Sequence, residues 1–145
     1  MNFLNLKKRK YPYIIAELSA NHNQKLQNVY KLIAAAKKAG CDAIKIQTYK
    51  ADKMTLNIKN RNFQIKEKKS PWYKSYLYDL YKQGETPREW HAKIFQYSKK
   101  KKILAFSSPF DTDSVSFLES INCPIYKIAS FEITNYLLIE KIAKT

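Results

Sequence analysis

Short apolar runs alternate with longer amphipathic segments along the chain. The short runs are rich in β-branched residues, as is typical of strands, and apolar side chains recur at helical spacing in the segments that follow. In the first of these segments the apolar face consists of Leu26, Val29, Leu32, Ile33 and Ala36. The pattern predicts four strand-then-helix pairs, with strands over 13–19, 43–48, 103–107 and 125–129 and helices that include 25–39 and 112–121.

Capping signals predict where these helices begin and end. Gly40 ends the first helix, since glycine readily adopts the left-handed conformation found there. Thr86-Pro87-Arg88-Glu89 has Thr at the N-cap, Pro at N1 and Glu at N3, a capping box that predicts a helix start at Thr86. Asp111 is the predicted cap of the next helix, and Thr134 or Asn135 that of the last.

Alternating strands and helices predict a parallel sheet with helices packed outside it. Gly40 and Gly84 are the only glycines, which excludes a Gly-rich dinucleotide or P-loop motif and with it the usual doubly wound nucleotide site. A TIM (βα)8 barrel is favoured, of which four units are one half. The predicted fold is therefore α/β, with residues 1–12 as a basic N-terminal extension and 13–145 as the first half of a barrel.

The insertion between the second and third strands, from Tyr49 to Gly84, contains too many aromatic residues for a bare surface loop. It is predicted to hold a small helix near 73–81. Long insertions in compact domains are usually functional, so we expect a partial lid over the strand ends. Packing against the outer helices is the alternative. The aromatic residues concerned are Phe63, Trp72, Tyr73, Tyr76 and Tyr81.

Composition narrows the class of protein. The chain has 145 residues, a hydrophobic fraction of 45% and no apolar run long enough for a membrane span or a secretory signal. Its two cysteines are too few for a disulfide framework, which favours a reducing cytoplasm. The net charge of +15 fits nucleic acid, an anionic membrane surface or anionic small substrates. Runs of lysine are usually solvated faces, and the scarcity of Arg argues against a dedicated reader of phosphate backbones.

An internal repeat singles out two lysines. Cys41 to Ile46 and Cys123 to Ile128 share the pattern Cys-x-x-x-Lys-Ile and lie two βα units apart. Alternate barrel strands contribute to the same interior layer, so Lys45 and Lys127 are expected to point into one cleft. Two buried ammonium groups are explained by an anionic ligand carrying phosphate or carboxylate groups. The alternatives are pairing with a buried carboxylate, Glu17 or Glu132, or an outward path for the lysine side chain.

Other candidate residues lie at the predicted strand ends. Ser108 and Ser130 offer hydroxyl groups to a phosphate, and Glu17 and Glu132 are candidate acids. The first βα loop contains Asn21-His22-Asn23. A lone loop histidine is more often a structural hydrogen-bonding group than a ligand or base, and His91 on a predicted helix is expected to be structural.

Five ordered motifs resemble those of the sialic acid synthase family, nearer its pseudaminic acid branch than its N-acetylneuraminate branch. They cover nearly the whole chain from residue 13. One departure is Gln24, which stands where many relatives have Gly, and it predicts a changed loop shape. The motifs are Ile14-Ile15-Ala16-Glu17, Asn21-His22-Asn23, Lys45-Ile46-Gln47-Thr48, Ser107-Ser108-Pro109-Phe110-Asp111 and Tyr126-Lys127-Ile128-Ala129-Ser130-Phe131-Glu132.

The resemblance implies an enzyme that condenses phosphoenolpyruvate with a six-carbon N-acetylated amino sugar to form a nonulosonic acid. It implies phosphoenolpyruvate binding by Lys45, Ser108, Lys127 and Ser130, catalytic roles for Glu17 and Glu132, and sugar binding by Asn21, His22 and Gln47. It also implies a divalent metal, commonly Mn²⁺, and a homodimer of the full-length enzyme, with no nucleic acid or membrane partner.

Family members are more than twice this long, with four further barrel units and a small antifreeze-like domain. Their two metal-binding histidines lie in that further half, so no metal ligand is assigned in this chain. The chain is therefore expected to be an N-terminal fragment that has no synthase activity alone and is prone to edge-to-edge association. The alternatives are an anion-binding half-barrel without chemistry and, less favoured, a basic nucleic-acid-binding protein.

Overall fold

A computed structural model describes residues 10–145 as an α/β fold built on a three-stranded parallel sheet. The strands are β1 (Ile15–Glu17), β2 (Ala43–Thr48) and β3 (Leu104–Pro109), in the spatial order β1-β2-β3. The helices are α1 (Leu26–Lys38), α2 (Ala51–Met54), α3 (Leu77–Gly84), α4 (Arg88–Lys100), α5 (Thr112–Ser120) and α6 (Tyr136–Ala143), with 3-10 turns at Arg61–Phe63 and Ser130–Glu132. No helix of this part of the chain is long and apolar enough to cross a membrane.

Helices cover one face of the sheet. Ile44 and Ile46 of β2 belong to one buried cluster with Val29 and Ile33 of α1 and Ile94 of α4. Complete burial of such a side chain contributes about 1.5–3 kcal/mol, so this cluster holds α1 and α4 against the sheet. Because side chains alternate along a strand, Lys45 and Gln47 of β2 point to the opposite face of the sheet. We call this face the open face.

A buried polar network joins α4 to the ends of β2 and β3. His91 Nδ1 lies 3.0 Å from the Pro87 carbonyl, which can only accept, so this nitrogen carries the proton. Nε2 then accepts from the Thr48 hydroxyl at 2.8 Å, and Thr48 lies 2.6 Å from the Ser107 hydroxyl. Burial lowers the pKa of His91 to about 4, so the imidazole is neutral at pH 7. His91 is structural, as predicted.

Three of the four predicted helix-end signals are observed. Gly40 follows α1 with φ +85°, Asp111 accepts from the Ser114 N–H at 2.7 Å, and Asn135 accepts from the Leu138 N–H at 3.2 Å. The capping box at Thr86 is wrong, because α4 begins at Arg88 after Pro87 and has no side-chain cap. Thr86 is instead buried with its hydroxyl toward His22.

The fourth predicted strand, 125–129, is also wrong as a regular strand. It is reduced to a single parallel bridge between Ser107 and Tyr126, followed by the 3-10 turn. Within residues 10–145 this segment has a neighbouring strand on one side only, β3, and a ladder with one side paired is weak.

The helix predicted near 73–81 lies further along the chain, as α3. Lys74 has φ +66°, which interrupts a right-handed helix at that point. Its backbone instead pairs with Ile65, as an N–H donor at 3.0 Å, in a small antiparallel arrangement that includes the bridge between Gln64 and Tyr76. Residues 1–9 of the predicted N-terminal extension lie outside the described residues.

Candidate functional site

Lys45 lies on the open face, next to Glu17. The register pairs Glu17 of β1 with Lys45 of β2, and their side chains form an ion pair. The Lys45 side chain is 14% exposed and that of Glu17 is 39% exposed. The pKa of Lys45 is nevertheless lowered, chiefly because burial penalises the ammonium and further because the Lys127 charge acts on it. The ion pair with Glu17, which was the alternative to an anionic ligand, therefore forms. It does not fully compensate for the burial of Lys45 and the repulsion by Lys127.

Lys127 shares this face. Tyr126 pairs with Ser107, and the Lys127 N–H donates to the Ser107 carbonyl at 3.0 Å. Tyr126 turns toward α5, where its hydroxyl donates to Glu119, so the next residue along the chain points the other way. The charge of Lys127 acts on the Lys45 ammonium group, so the two lysines lie near each other. That they point into one cleft and share one anion stays a prediction. Their binding of phosphoenolpyruvate stays a prediction.

A smaller cavity of about 270 Å³ opens at this point. Its lining contains Lys127 and Ser130, together with Gln47 from the end of β2 and the aromatic rings of Phe110 and Phe131. A cationic side chain and a hydroxyl beside apolar walls suit a small anion, since few water molecules compete for the ammonium group.

Ser108 is the other buried polar group of the open face. The register pairs it with Gln47, and it is only 2% exposed. Its hydroxyl has no hydrogen-bond partner among residues 10–145. An unpaired buried hydroxyl costs about 1–3 kcal/mol, so this group is expected to donate to a partner outside residues 10–145, such as a ligand.

A larger cavity of about 540 Å³ lies next to the smaller one, and the two share Gln47, Tyr49 and Tyr81 as a common wall. The first βα loop lines one side and the insertion lines the other, through Trp72, Leu80 and Tyr81 among others. The insertion thus lies at the strand ends, near Gln47, where the lid prediction requires Trp72 and Tyr81 to be. That the insertion covers a bound ligand stays a prediction.

Glu85 connects the two ends of the insertion. Its buried carboxylate accepts from the Ala51 N–H at 2.5 Å at the start of α2 and pairs with Lys82 at 3.1 Å. A carboxylate at a helix N-terminus is stabilising, and this one closes the insertion from end to end. Neither α2 nor this role of Glu85 was predicted, because the cap lies 34 residues from the amide that it receives.

Gln24 attaches the first βα loop to the same place. Its side-chain amide donates to the carbonyls of Gln83 at 2.7 Å and Glu85 at 2.8 Å. Its φ of +53° lies in the left-handed region that favours glycine. The prediction of a changed loop shape stays open, but the structure gives this side chain a specific task.

The candidate sugar-site residues of this loop fall in two environments. Asn21 is exposed and lines the larger cavity. His22 is buried: its Nδ1 accepts from the Gln24 N–H at 3.1 Å, and its ring packs edge-on against Trp90. Burial lowers the pKa of His22. These contacts support a structural role, and sugar binding by His22 stays a prediction.

The 3-10 turn at Ser130–Glu132 separates its two candidate residues. Ser130 lines the smaller cavity, whereas Glu132 accepts from the Asn135 side-chain amide at 2.7 Å. The catalytic assignment of Glu132 stays a prediction, and Glu17 is the carboxylate that contacts Lys45.

The described residues do not fit a metal site. No group of three or more His, Cys, Asp or Glu side chains able to hold an ion occurs in residues 10–145. His22 and His91 are each engaged by neighbours in the core. The metal therefore enters no step below, and its binding by histidines elsewhere in a longer protein stays a prediction.

Comparison with known proteins finds similarity to one family of synthases. The NeuB family model matches residues 32–145. The chain is 49% identical to pseudaminic acid synthase of Helicobacter pylori over 134 residues, covering 92% of this chain and 39% of the relative. It is 48% identical to pseudaminic acid synthase of Campylobacter jejuni over 144 residues, covering 99% of this chain and 41% of the relative.

Solved structures agree. The N-acetylneuraminic acid synthetase of Leptospira borgpetersenii, crystallised with citrate, superposes with a TM-score of 0.76 at 30% identity, covering 91% of this chain and 41% of that one. A spore coat polysaccharide biosynthesis protein of Bacillus subtilis superposes with a TM-score of 0.68 at 33% identity, covering 94% and 34%. The chain thus spans about 40% of the length of the synthases that it matches.

Proposed function

The chain belongs to the NeuB family, and we propose that it supplies the phosphoenolpyruvate site of a pseudaminic-acid-type synthase, with residues 13–145 as the first half of a (βα)8 barrel. The complete reaction joins C3 of phosphoenolpyruvate to the aldehyde carbon of an N-acetylated amino sugar. The aldehyde oxygen takes a proton, water adds to C2, and the C2–O bond to phosphate breaks. The product is a nonulosonic acid.

One observation carries this proposal: the charge of Lys127 acts on the largely buried ammonium group of Lys45, whose ion-pair partner is Glu17. Lys45 and Lys127 bring two positive charges and Glu17 brings one negative charge, which leaves one positive charge in excess. The lowered pKa of Lys45 reflects a cost that a bound anion removes, because a negative ligand favours both charged lysines.

The chain's own residues then have separate tasks. Lys45 and Lys127 neutralise the phosphate and carboxylate groups, and they do so without reorganisation because β2 positions Lys45 and the backbone bond to Ser107 positions Lys127 beforehand. The Ser108 hydroxyl, buried and without a protein partner in the described residues, donates to a phosphate oxygen. Ser130 donates from the lining of the smaller cavity.

Glu17 is proposed as the general base of the reaction. Its carboxylate is more exposed than Lys45 and contacts the same ammonium group, so it lies next to the bound anion. In this position it accepts a proton from the water that adds at C2. Glu132 and the homodimer of the full-length enzyme belong to the same proposal, as do phosphoenolpyruvate and the amino sugar as its small-molecule partners.

Calorimetric titration of this chain with phosphoenolpyruvate tests the anion site. Lys127→Met is expected to weaken binding at least tenfold, because a charge-assisted contact is worth about 1.5–3 kcal/mol. Lys99→Met, at the exposed end of α4, is the matched control, since it removes the same charge from the chain. Equal weakening by both variants would reduce the site to nonspecific attraction by a chain of charge +15.

Activity is tested separately in the full-length reading frame, by phosphate release and by detection of the nonulosonic acid. Lys127→Met is expected to lower kcat/KM for phosphoenolpyruvate by at least tenfold. Binding of phosphoenolpyruvate without any turnover on amino sugars would favour the alternative of a non-catalytic anion-binding module.

A further inference from the structure

We propose that this chain binds a second copy of itself in a two-fold symmetric dimer, in which β1 of each copy pairs with the 125–129 segment of the other. We call each of these two equivalent contacts a seam. The inference rests on the half-barrel of the proposed function, and it assigns a second copy of the chain as the partner that closes the ring of strands.

Two edges of the sheet lack a strand partner in the part of the chain that the structure describes. β1 pairs with β2 alone, and the 125–129 segment reaches β3 through one bridge from Tyr126 to Ser107. Backbone N–H and C=O groups along a free edge are ready to pair with a strand of another chain. The sheet therefore has one such edge on each side.

The two edges are complementary in direction. All the strand pairings are parallel, including the bridge from Tyr126, so β1 and the 125–129 segment run the same way. A rotation of 180° about an axis along the strands keeps this direction and brings the 125–129 segment of one copy beside β1 of the other. The same rotation forms the second seam, so the assembly closes at two copies and does not grow further.

Exposed apolar side chains are concentrated at the same two edges. Of the twelve large apolar side chains that the described residues expose, eight adjoin these edges and the other four lie in the insertion. Single exposed apolar residues are ordinary, but a contiguous group marks an interaction surface. The side chains at the β1 edge are Tyr11, Ile14 and Ile15, and those at the other edge are Ile128, Phe131, Ile133, Tyr136 and Leu137.

α6 shows on which side the partner lies. Leu138 is fully buried, whereas Tyr136 and Leu137 are 79% and 73% exposed. α6 packs against α5, the helix that precedes it. Helices of a closed barrel form a continuous outer ring, so α6 needs a second helical neighbour on its other side. In the dimer this neighbour is α1 of the other copy, because α1 follows β1 in the chain.

The exposed apolar surface is large enough for a stable dimer. The eight side chains at the two edges expose on the order of 1,000 Å² per chain, and an interface of standard size buries about 800 Å² per partner. Removal of this apolar surface from water drives the association. A second copy covers both edges at once.

Charge opposes the association and makes it recognisable. Two copies with a net charge of +15 each repel one another. Salt screens this repulsion, so the dimer is expected to become tighter as the salt concentration rises from about 50 to about 500 mM. Binding of a polyanion by the same lysines would weaken over this range.

Sedimentation velocity over a range of chain concentrations tests the dimer. The unmodified chain is expected to show a monomer–dimer equilibrium that ends at the dimer. Ile14→Lys beside β1 and Tyr136→Glu on α6 are each expected to raise the dissociation constant at least tenfold, because each places a charge in both apolar seams. Leu56→Lys and Tyr73→Glu make the same charge changes at exposed positions of the insertion and are expected to leave the dissociation constant unchanged.

An equimolar mixture of the two edge variants tests the symmetry. A dimer of one Ile14→Lys chain and one Tyr136→Glu chain has one seam with both substitutions and one seam with neither. The mixture is therefore expected to associate at least threefold more tightly than either variant alone. Circular dichroism establishes that each variant is folded, and titration with phosphoenolpyruvate establishes that its anion site is intact.

Three results overturn this inference: monomers at every concentration, growth beyond the dimer, or a mixture that associates no better than the single variants. Weakening by Tyr136→Glu without weakening by Ile14→Lys also overturns it, because contact between two α6 helices then accounts for the dimer. A monomeric chain that binds phosphoenolpyruvate leaves the proposed function standing. A dimeric chain that does not bind phosphoenolpyruvate supports the dimer and overturns the anion site.

Discussion

Acidification is expected to destabilise the fold through His91. In the native state its pKa is about 4, against 6.5 in an unfolded chain, because burial penalises the imidazolium. Between these values the unfolded state binds a proton that the native state does not, so unfolding becomes more favourable as the pH falls. The contribution of neutral His91 is complete above about pH 6.5 and declines until about pH 4.

The magnitude follows from the same two values. Each pKa unit corresponds to ~1.4 kcal/mol, so the difference between 6.5 and about 4 gives a loss of about 3 kcal/mol. The side chain is fully buried, so solvent screening does not reduce this figure substantially. A loss of this size is a large fraction of the stability of a small domain.

Urea denaturation at pH 7, 6, 5 and 4, followed by circular dichroism, measures the effect. His91→Gln is the informative variant, because its amide keeps a donor for Pro87 and an acceptor for Thr48 but does not titrate. We expect the two chains to differ by about 3 kcal/mol in pH dependence over this range. His22 titrates in both chains and cancels in the comparison. Parallel stability profiles for the two chains would refute the neutral buried imidazole.

Four further changes test other parts of the structure. Gly84→Ala places a Cβ 2.6 Å from the Tyr49 hydroxyl, and we expect a loss of about 1–3 kcal/mol of unfolding free energy by urea titration. Asp111→Ala removes the cap of α5 and should cost about 1 kcal/mol in the same assay. Gln24→Gly relieves a positive φ but releases the insertion, so amide exchange over α3 should accelerate while overall stability changes by less than about 1 kcal/mol. Leu137→Lys replaces a leucine of α6 that is 73% exposed, and sedimentation should show less self-association than in the unmodified chain.

Much of the fold could be predicted from local sequence patterns. The bounds predicted for the second strand are those of β2, and the caps at Asp111 and Asn135 are the observed ones, because each depends on residues close together in the chain. These predictions held because periodicity and capping are properties of short segments.

The incorrect predictions have a common physical cause, which is contact between residues that are far apart in the sequence. Thr86 has the sequence of an N-cap, yet its burial beside His22, 64 residues away, takes the place of a capping bond. The capping of α2 by Glu85 has no local signal either. The fourth strand failed because a strand depends on its neighbours, and one bridge to Ser107 is all that it forms in the described residues.

The division of charge between the two cavities supports the functional assignment more strongly than either cavity does alone. A chain with a net charge of +15 could present lysine to almost any opening, so a cationic cavity by itself is weak evidence for a specific anion. Among residues 10–145, those that line the neighbouring cavity, which is twice as large, are all neutral, and this cavity shares a wall with the cationic one. General basicity does not produce such a boundary. The proposed function explains the boundary, because it places a charged substrate and a neutral substrate in neighbouring cavities on either side of Gln47.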